Sequence, residues 1–189
     1  TGIDLSDGMI HGAKQLADKE GLDVSLYIAP WSEETRQKLG WDKSFDLAYS
    51  IFCPIMFDVE NIRAMHNASN ETCLWIAFSE RMDETVDMLS EHFFGRDSFP
   101  WAGKLKECLD AIHEIGHNVK VTYKTVLETE VMSLDKAVDY FAMRLHNNEW
   151  GTMEDMKREI RALIEPRAID GKIHNKTVDT VAWVSWSVK

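Results

Sequence analysis

Two groups of residues in this 189-residue chain combine types and spacings that could do chemistry. The first is Gly2-Ile3-Asp4-Leu5-Ser6, in which a β-branched residue runs into an aspartate and a serine follows that can cap a helix. A carboxylate at the carboxyl end of a parallel strand can accept hydrogen bonds from both hydroxyls of a ribose, so this segment points to a nucleoside-containing ligand. The second is His113-Glu114-Ile115-Gly116-His117, a formal H-E-x-x-H. At that spacing two histidines one helical turn apart hold zinc and the glutamate acts as base. Gly at 120 and His at 123 would extend the motif to three histidines, but Lys120 and Tyr123 stand there; Glu149 or Glu154 stays open as a third ligand. Gly116 predicts a helix stop inside the motif, which puts His117 in the following turn, so a solvated helix end is preferred and no metal site is expected. Cys53 beside Pro54 has the chemistry of a nucleophile or soft-metal ligand, although a lone cysteine at a strand end is ordinarily packing.

Strands and helices must hold these groups. Met9, Ala13, Leu16 and Ala17 recur at helical spacing after Ser6, Gly21 stops that helix, and Val24–Ile28 reads as a strand ending at Ala29-Pro30-Trp31. Phe45–Phe52 is a nearly continuous apolar run, the pattern of a strand covered by helices on both faces, and Pro54 ends it. Asp58–Asn67 reads as a short helix, Thr72–Phe78 as another buried strand, and Met82, Val86, Leu89 and Phe93 as one helix face closed by Gly95. The alternation implies a parallel sheet. A helix opening near Pro100 carries Leu105, Cys108, Leu109, Ile112 and Ile115 and ends at Gly116. Val119–Met132 reads as a long strand, and helices follow from Ser133 and from a capping box at Thr152. Pro166 ends the second of these, and Thr180–Val188 is a final strand.

The length suits a single domain spanning residues 1–189. A net charge of −11 argues against nucleic acid as a partner, since counterion release needs clustered Lys and Arg. Cys53, Cys73 and Cys108 are odd in number and far apart, which suggests neither a disulfide framework nor a cysteine metal site and fits a reducing cytoplasm. No run approaches about 18 apolar residues, so no membrane span is expected. The sequons at Asn67, Asn70 and Asn175 are then read as chance.

The order of these elements and the residues at the strand ends resemble class I S-adenosylmethionine-dependent methyltransferases. Thr1–Ile10 resembles that family's second strand and following helix, a G-[IV]-D-x-S-x-x-M-[IL] pattern, and Phe45–Ser50 is similar to the F-D-L-V-x-S of its fourth strand. The resemblance implies an α/β, Rossmann-like, doubly wound, mostly parallel sheet with an antiparallel C-terminal strand, lacking the first strand and its G-x-G-x-G turn. It implies S-adenosylmethionine as cofactor, with Asp4 on the ribose hydroxyls and Leu5 against the adenine or ribose. Ala29, Pro30 and Trp31 stand where an acidic residue usually meets the adenine amino group, which leaves that contact to backbone groups or to Trp31 stacking. Ser50, Ile51 and Phe52 would edge the methionine moiety. No N/D-P-P-Y motif occurs at Ser50–Ile55, so a small-molecule acceptor is expected; no catalytic base is assigned. Loss of a central first strand would leave apolar edges unpaired, so more polypeptide upstream, or association with another segment or a second copy as a homo-oligomer, is expected. The alternatives are a zinc metallopeptidase through His113, Glu114 and His117, and a noncatalytic Rossmann-like domain.

Overall fold

The computed structural model describes residues 1–96, 103–146 and 150–189, so the helix opening expected near Pro100 and the zinc ligand entertained at Glu149 lie outside the described residues. In chain order the elements are β1 (Gly2–Asp4), α1 (Asp7–Glu20), β2 (Leu26–Ile28), α2 (Glu33–Lys38), β3 (Phe45–Ile51), α3 (Val59–Ala68), β4 (Ser69–Asp83) and α4 (Glu84–Phe94). They continue with α5 (Lys104–Ile115), β5 (His117–Ser133), α6 (Leu134–Leu145), α7 (Met153–Ile164) and β6 (Lys172–Ser187), with single 3-10 turns at Pro54–Met56 and Glu165–Arg167.

β1 and β2 pair in parallel with Ile3 opposite Tyr27. A second sheet has the order β3-β4-β6-β5, and β3 and β4 are parallel with Ser50 opposite Trp75. β6 runs antiparallel to β4, because Val188 N donates to Glu71 O at 2.7 Å while Ser79 Oγ donates to Thr180 O at 3.1 Å, so the residue numbers run in opposite senses. This is the expected Rossmann-like α/β arrangement with an antiparallel last strand.

Short-range chemistry sets most element ends. Ser6 Oγ accepts from Met9 N, Asp58 from Glu60 N, Ser133 Oγ from Lys136 N and Thr152 Oγ1 from Asp155 N, each satisfying an orphan donor of a first turn. Gly21 and Gly95 close α1 and α4 at φ 67° and 60°, a region open to residues without Cβ.

The chain divides into two compact units. The first comprises Thr1–Ala77, Gly103–Thr122 and Trp183–Lys189. Its core places Ile62, Met65 and Ala68 of α3 and Leu105, Cys108 and Ile112 of α5 out of water, together with Trp75 and Trp186. Full burial of a large apolar side chain contributes about 1.5–3 kcal/mol. The thiols of Cys73 and Cys108 donate to Met65 O and Met56 O, and burial pushes them up to about 12 and about 11, so both are inert packing groups. The second unit comprises Phe78–Ala102 and Tyr123–Ala182. Its core gathers Val86 and Leu89 of α4, Val138 and Phe141 of α6, and Met156, Ile160 and Ile164 of α7. Asn175 is buried there, hydrogen-bonded to Asp83 and to Thr85 N, so that sequon is closed to glycosylation in the folded chain.

Several expectations are corrected. β3 is not covered on both faces: Leu47, Tyr49 and Ile51 are exposed. Met9 and Leu16 of α1 are likewise exposed, and only Ala17 of that helix is buried. Met82 belongs to β4, not to the helix, because Asp83 is the cap of α4 and accepts from Val86 N. β2 is shorter, and β4 and β6 longer, than their apolar runs suggest.

Gly116 ends α5 as expected, but for a different reason. Its φ is −99°, open to any residue, whereas a Cβ there would lie 2.6 Å from Trp186 Cδ1 and 2.9 Å from Ile112 O. The glycine admits the buried indole. Gly116→Ala should therefore lower stability by about 1–3 kcal/mol, read as a lower thermal midpoint, since neither neighbour can move without disturbing the core.

Candidate functional site

The facing edges of β1 and β3 border, along their whole length, a cleft of about 320 Å³ within the first unit. β1 is paired only to β2, and β3 only to β4, so the facing edges of both strands are unpaired among the described residues. Gly2, Ile3 and Asp4 line one side and Phe45 and Leu47–Ile51 the other, with Trp31, Trp41, Cys53 and Met56 completing the wall.

Asp4 is the last residue of β1. Its Oδ1 accepts from Ser6 N at 2.7 Å, while Ser6 Oγ caps α1, so one turn both starts the helix and fixes the carboxylate. Oδ2 has no hydrogen-bond partner among the described residues and remains an acceptor. Ala29 N donates to Asp4 O at 3.0 Å, which places the end of β2 against the end of β1.

Trp31 is held by Asn61 of α3, whose carbonyl takes the indole N–H at 3.2 Å, and Asn61 Nδ2 in turn reaches Ile55 O. Trp41 meets Tyr27 and Phe45 edge-on, with ring centroids 5.1 and 5.2 Å apart. Its backbone is tied by Arg36, a buried guanidinium that bonds Trp41 O, Asp42 and both carboxylate oxygens of Glu33. The Arg36 hydrogen bonds hold the Glu33 carboxyl below the usual range. After β3, Phe52 takes a left-handed conformation (φ 52°), secured by its N–H to Ile76 O at 2.9 Å. Such strain in a residue with Cβ is of the kind that collects at ligand sites.

Of the residues singled out from sequence, Asp4, Trp31, Ser50 and Ile51 line this cleft. Leu5, Ala29, Pro30 and Phe52 do not; Leu5 is 72 % exposed, while Ala29 and Phe52 adjoin the cleft through the backbone bonds just described. Sequence reasoning missed Trp41, Phe45 and Tyr49 as lining residues. The available signal was the alternation of the large apolar residues Phe45, Leu47, Tyr49 and Ile51 with Asp46, Ala48 and Ser50.

The H-E-x-x-H segment does not lie on one helix. α5 ends at Ile115, His117 is the first residue of β5, and Glu114 forms an ion pair with Arg63 at 3.1 Å. Among the described residues no group of three His, Cys, Asp or Glu could hold a metal.

His66 of α3 accepts from Trp186 Nε1 at 3.2 Å through Nδ1, which fixes the proton of a neutral ring on Nε2. Burial holds its pKa below 6.5, and the charges of Lys43 and His117 push the same way. With the folded value depressed, the unfolded chain takes the proton first, so stability present above about pH 6.5 is lost as pH falls toward the folded value. The protonated ring also has no lone pair for Trp186. The thermal midpoint should fall between about pH 8 and about pH 5.5, and the fall should be shallower in His66→Gln.

No family model matches the sequence, and no curated protein matches it. Among solved structures, a candidate methyltransferase from Bacillus halodurans is 10% identical, with a TM-score of 0.56 over 98% of this chain and 81% of that one. The MccD protein is 15% identical, with a TM-score of 0.45 over 96% of this chain and 78% of that one. Phosphoethanolamine N-methyltransferase 2 of Haemonchus contortus, solved with phosphomonomethylethanolamine and S-adenosylhomocysteine, is 14% identical, with a TM-score of 0.41 over 96% of this chain and 42% of that one. On the first of these likenesses, the chain shares the Rossmann-like fold of that Bacillus halodurans protein.

Proposed function

We propose that the protein binds S-adenosylmethionine in this cleft and transfers its methyl group to a small-molecule acceptor. The observation that carries the reading is Asp4: a carboxylate at the carboxyl end of a parallel strand, one oxygen fixed by Ser6 N and the other unengaged, in the wall of an aromatic-lined cleft. Two acceptor oxygens at that place match a ribose diol. Indole and phenyl faces suit both a flat base and a cation, through stacking and cation–π attraction. The donor set therefore fits the cofactor.

When bound, S-adenosylmethionine supplies an electrophilic methyl on a sulfonium. The chain's own residues then have three tasks. Asp4 would hold the ribose, with Leu5 and the Ala29–Trp31 segment beside the adenine. Ser50, Ile51 and Phe52 would edge the methionine part and set the direction from which an acceptor approaches. Trp41, Phe45 and Tyr49 would exclude water from the reacting atoms. No residue is assigned as base. The net charge of −11 supports a partner other than nucleic acid, and three free cysteines support a reducing, cytoplasmic setting. Among the described residues no helix is long and apolar enough to cross a membrane.

The test is incubation of the intact protein with methyl-labelled S-adenosylmethionine and a fractionated small-molecule extract. Protein-dependent label in a small molecule is expected. Label only in protein or nucleic acid would overturn the acceptor class, and binding without any transfer would favour the noncatalytic domain.

A further inference from the structure

The outer edge of the second sheet suggests a partner surface independent of the cleft. β5 is last in the order β3-β4-β6-β5, so one whole side of a 17-residue strand is unpaired among the described residues. Along its Tyr123–Val131 segment, alternate residues form an exposed row of Tyr123, Thr125, Leu127, Thr129 and Val131, with Leu127 75 % exposed. An open edge with this row is a template for another strand, and proteins that stay monomeric usually blunt it.

The sequence of the edge is complementary to itself when reversed. Placed antiparallel to a second copy with the two-fold axis at Leu127, Tyr123 faces Val131, Thr125 faces Thr129 and Leu127 faces its own copy. An aromatic–β-branched pair and a Thr–Thr pair then occur twice each, on one face. On the other face Lys124 stands opposite Glu130 and Val126 opposite Glu128, each twice. Neither Lys124 nor Glu130 has an ion-pair partner among the described residues, so the pairing breaks no existing bridge. Moving the axis to Val126 exchanges the charge match for Lys124 with Glu128, but it sets Tyr123 against Thr129 and Leu127 against Thr125, dispersing the apolar row. The apolar alignment selects the first register.

We propose that β5 is an interface for a second copy of this chain, an isologous dimer in which the Tyr123–Val131 segments pair antiparallel about Leu127 and join two sheets into one. A closed two-fold contact uses each edge once and ends growth at two copies. The arrangement is independent of ligand binding in the cleft.

Sedimentation equilibrium over a wide concentration range tests it. The wild-type chain should reach twice 21.7 kDa. Leu127→Lys sets two ammonium groups against each other on the axis and should sediment as a monomer that still unfolds cooperatively, since the side chain is exposed, with a thermal midpoint that no longer rises with protein concentration as the wild type's should. Leu47→Lys, on the edge of β3, should remain dimeric. Lys124→Glu should weaken dimerisation at least about tenfold, as like charges come to face each other. Adding Glu130→Lys should restore it, whereas adding Glu128→Lys should not. A monomeric wild type, a dimer that survives Leu127→Lys, a dimer lost with Leu47→Lys, or rescue by Glu128→Lys instead of Glu130→Lys would each overturn the proposal.

Discussion

Asp4→Ala should weaken binding of S-adenosylhomocysteine by about 2–4 kcal/mol, roughly 30-fold to 1000-fold in Kd, because it removes two charge-assisted acceptors from a ribose. The structure refines what the conservative change should do. Oδ1 already accepts from Ser6 N at 2.7 Å, so an asparagine would keep its carbonyl oxygen there and offer its amide nitrogen to the ligand. A ribose hydroxyl can accept from that nitrogen, but without charge assistance. Asp4→Asn should therefore fall between wild type and Asp4→Ala, while Asp4→Ala also frees the turn that starts α1. Isothermal titration with thermal melts of both variants separates the effects. Equal affinity in all three proteins would remove Asp4 from the site.

The largest loss of folding stability is expected at Asp83 in the second unit. Its carboxylate is 1 % exposed, caps α4 through Val86 N, accepts from Asn175 Nδ2 at 3.1 Å and pairs with Arg144 at 2.7 Å. Asp83→Ala removes a cap, worth about 1 kcal/mol, and leaves the buried amide of Asn175 short of an acceptor, worth about 1–3 kcal/mol. Arg144 is 28 % exposed, so its orphaned charge is partly rehydrated and adds less than a fully buried one would. A total near 3 kcal/mol corresponds to a drop of roughly 6–12 °C in Tm. A drop within about 2 °C would mean that the cluster contributes little beyond its shape.

These two residues were unequally legible. The placement of Asp4 was legible because it is local: strand, acid, cap and helix follow within ten residues, and Ser6 does cap α1. The role of Asp83 was not, because its value lies in Arg144 and Asn175, each more than 60 residues away in sequence. The same division runs through the fold. The caps at Ser6 and Thr152 were readable from residue type, as were the helix starts near Asp58 and Ser133 and the stop at Gly95. The covering of β3 was not, since an apolar run records what a strand could bury and not what lies over it. Trp41 entered the site through Arg36 and through ring contacts with Tyr27 and Phe45 that no periodicity encodes. Gly116 stands at the expected boundary, but the requirement for glycine there comes from Trp186, 70 residues later.

The cleft between the facing edges of β1 and β3 should take the nucleoside part of S-adenosylmethionine. Isothermal titration of the intact protein with S-adenosylhomocysteine, alongside zinc chloride and a nicotinamide dinucleotide as controls, decides this. Saturable one-to-one binding of S-adenosylhomocysteine, competed by S-adenosylmethionine and absent for the controls, is the predicted result. Heat from zinc or from the dinucleotide alone, with none from either S-adenosyl compound, would contradict it.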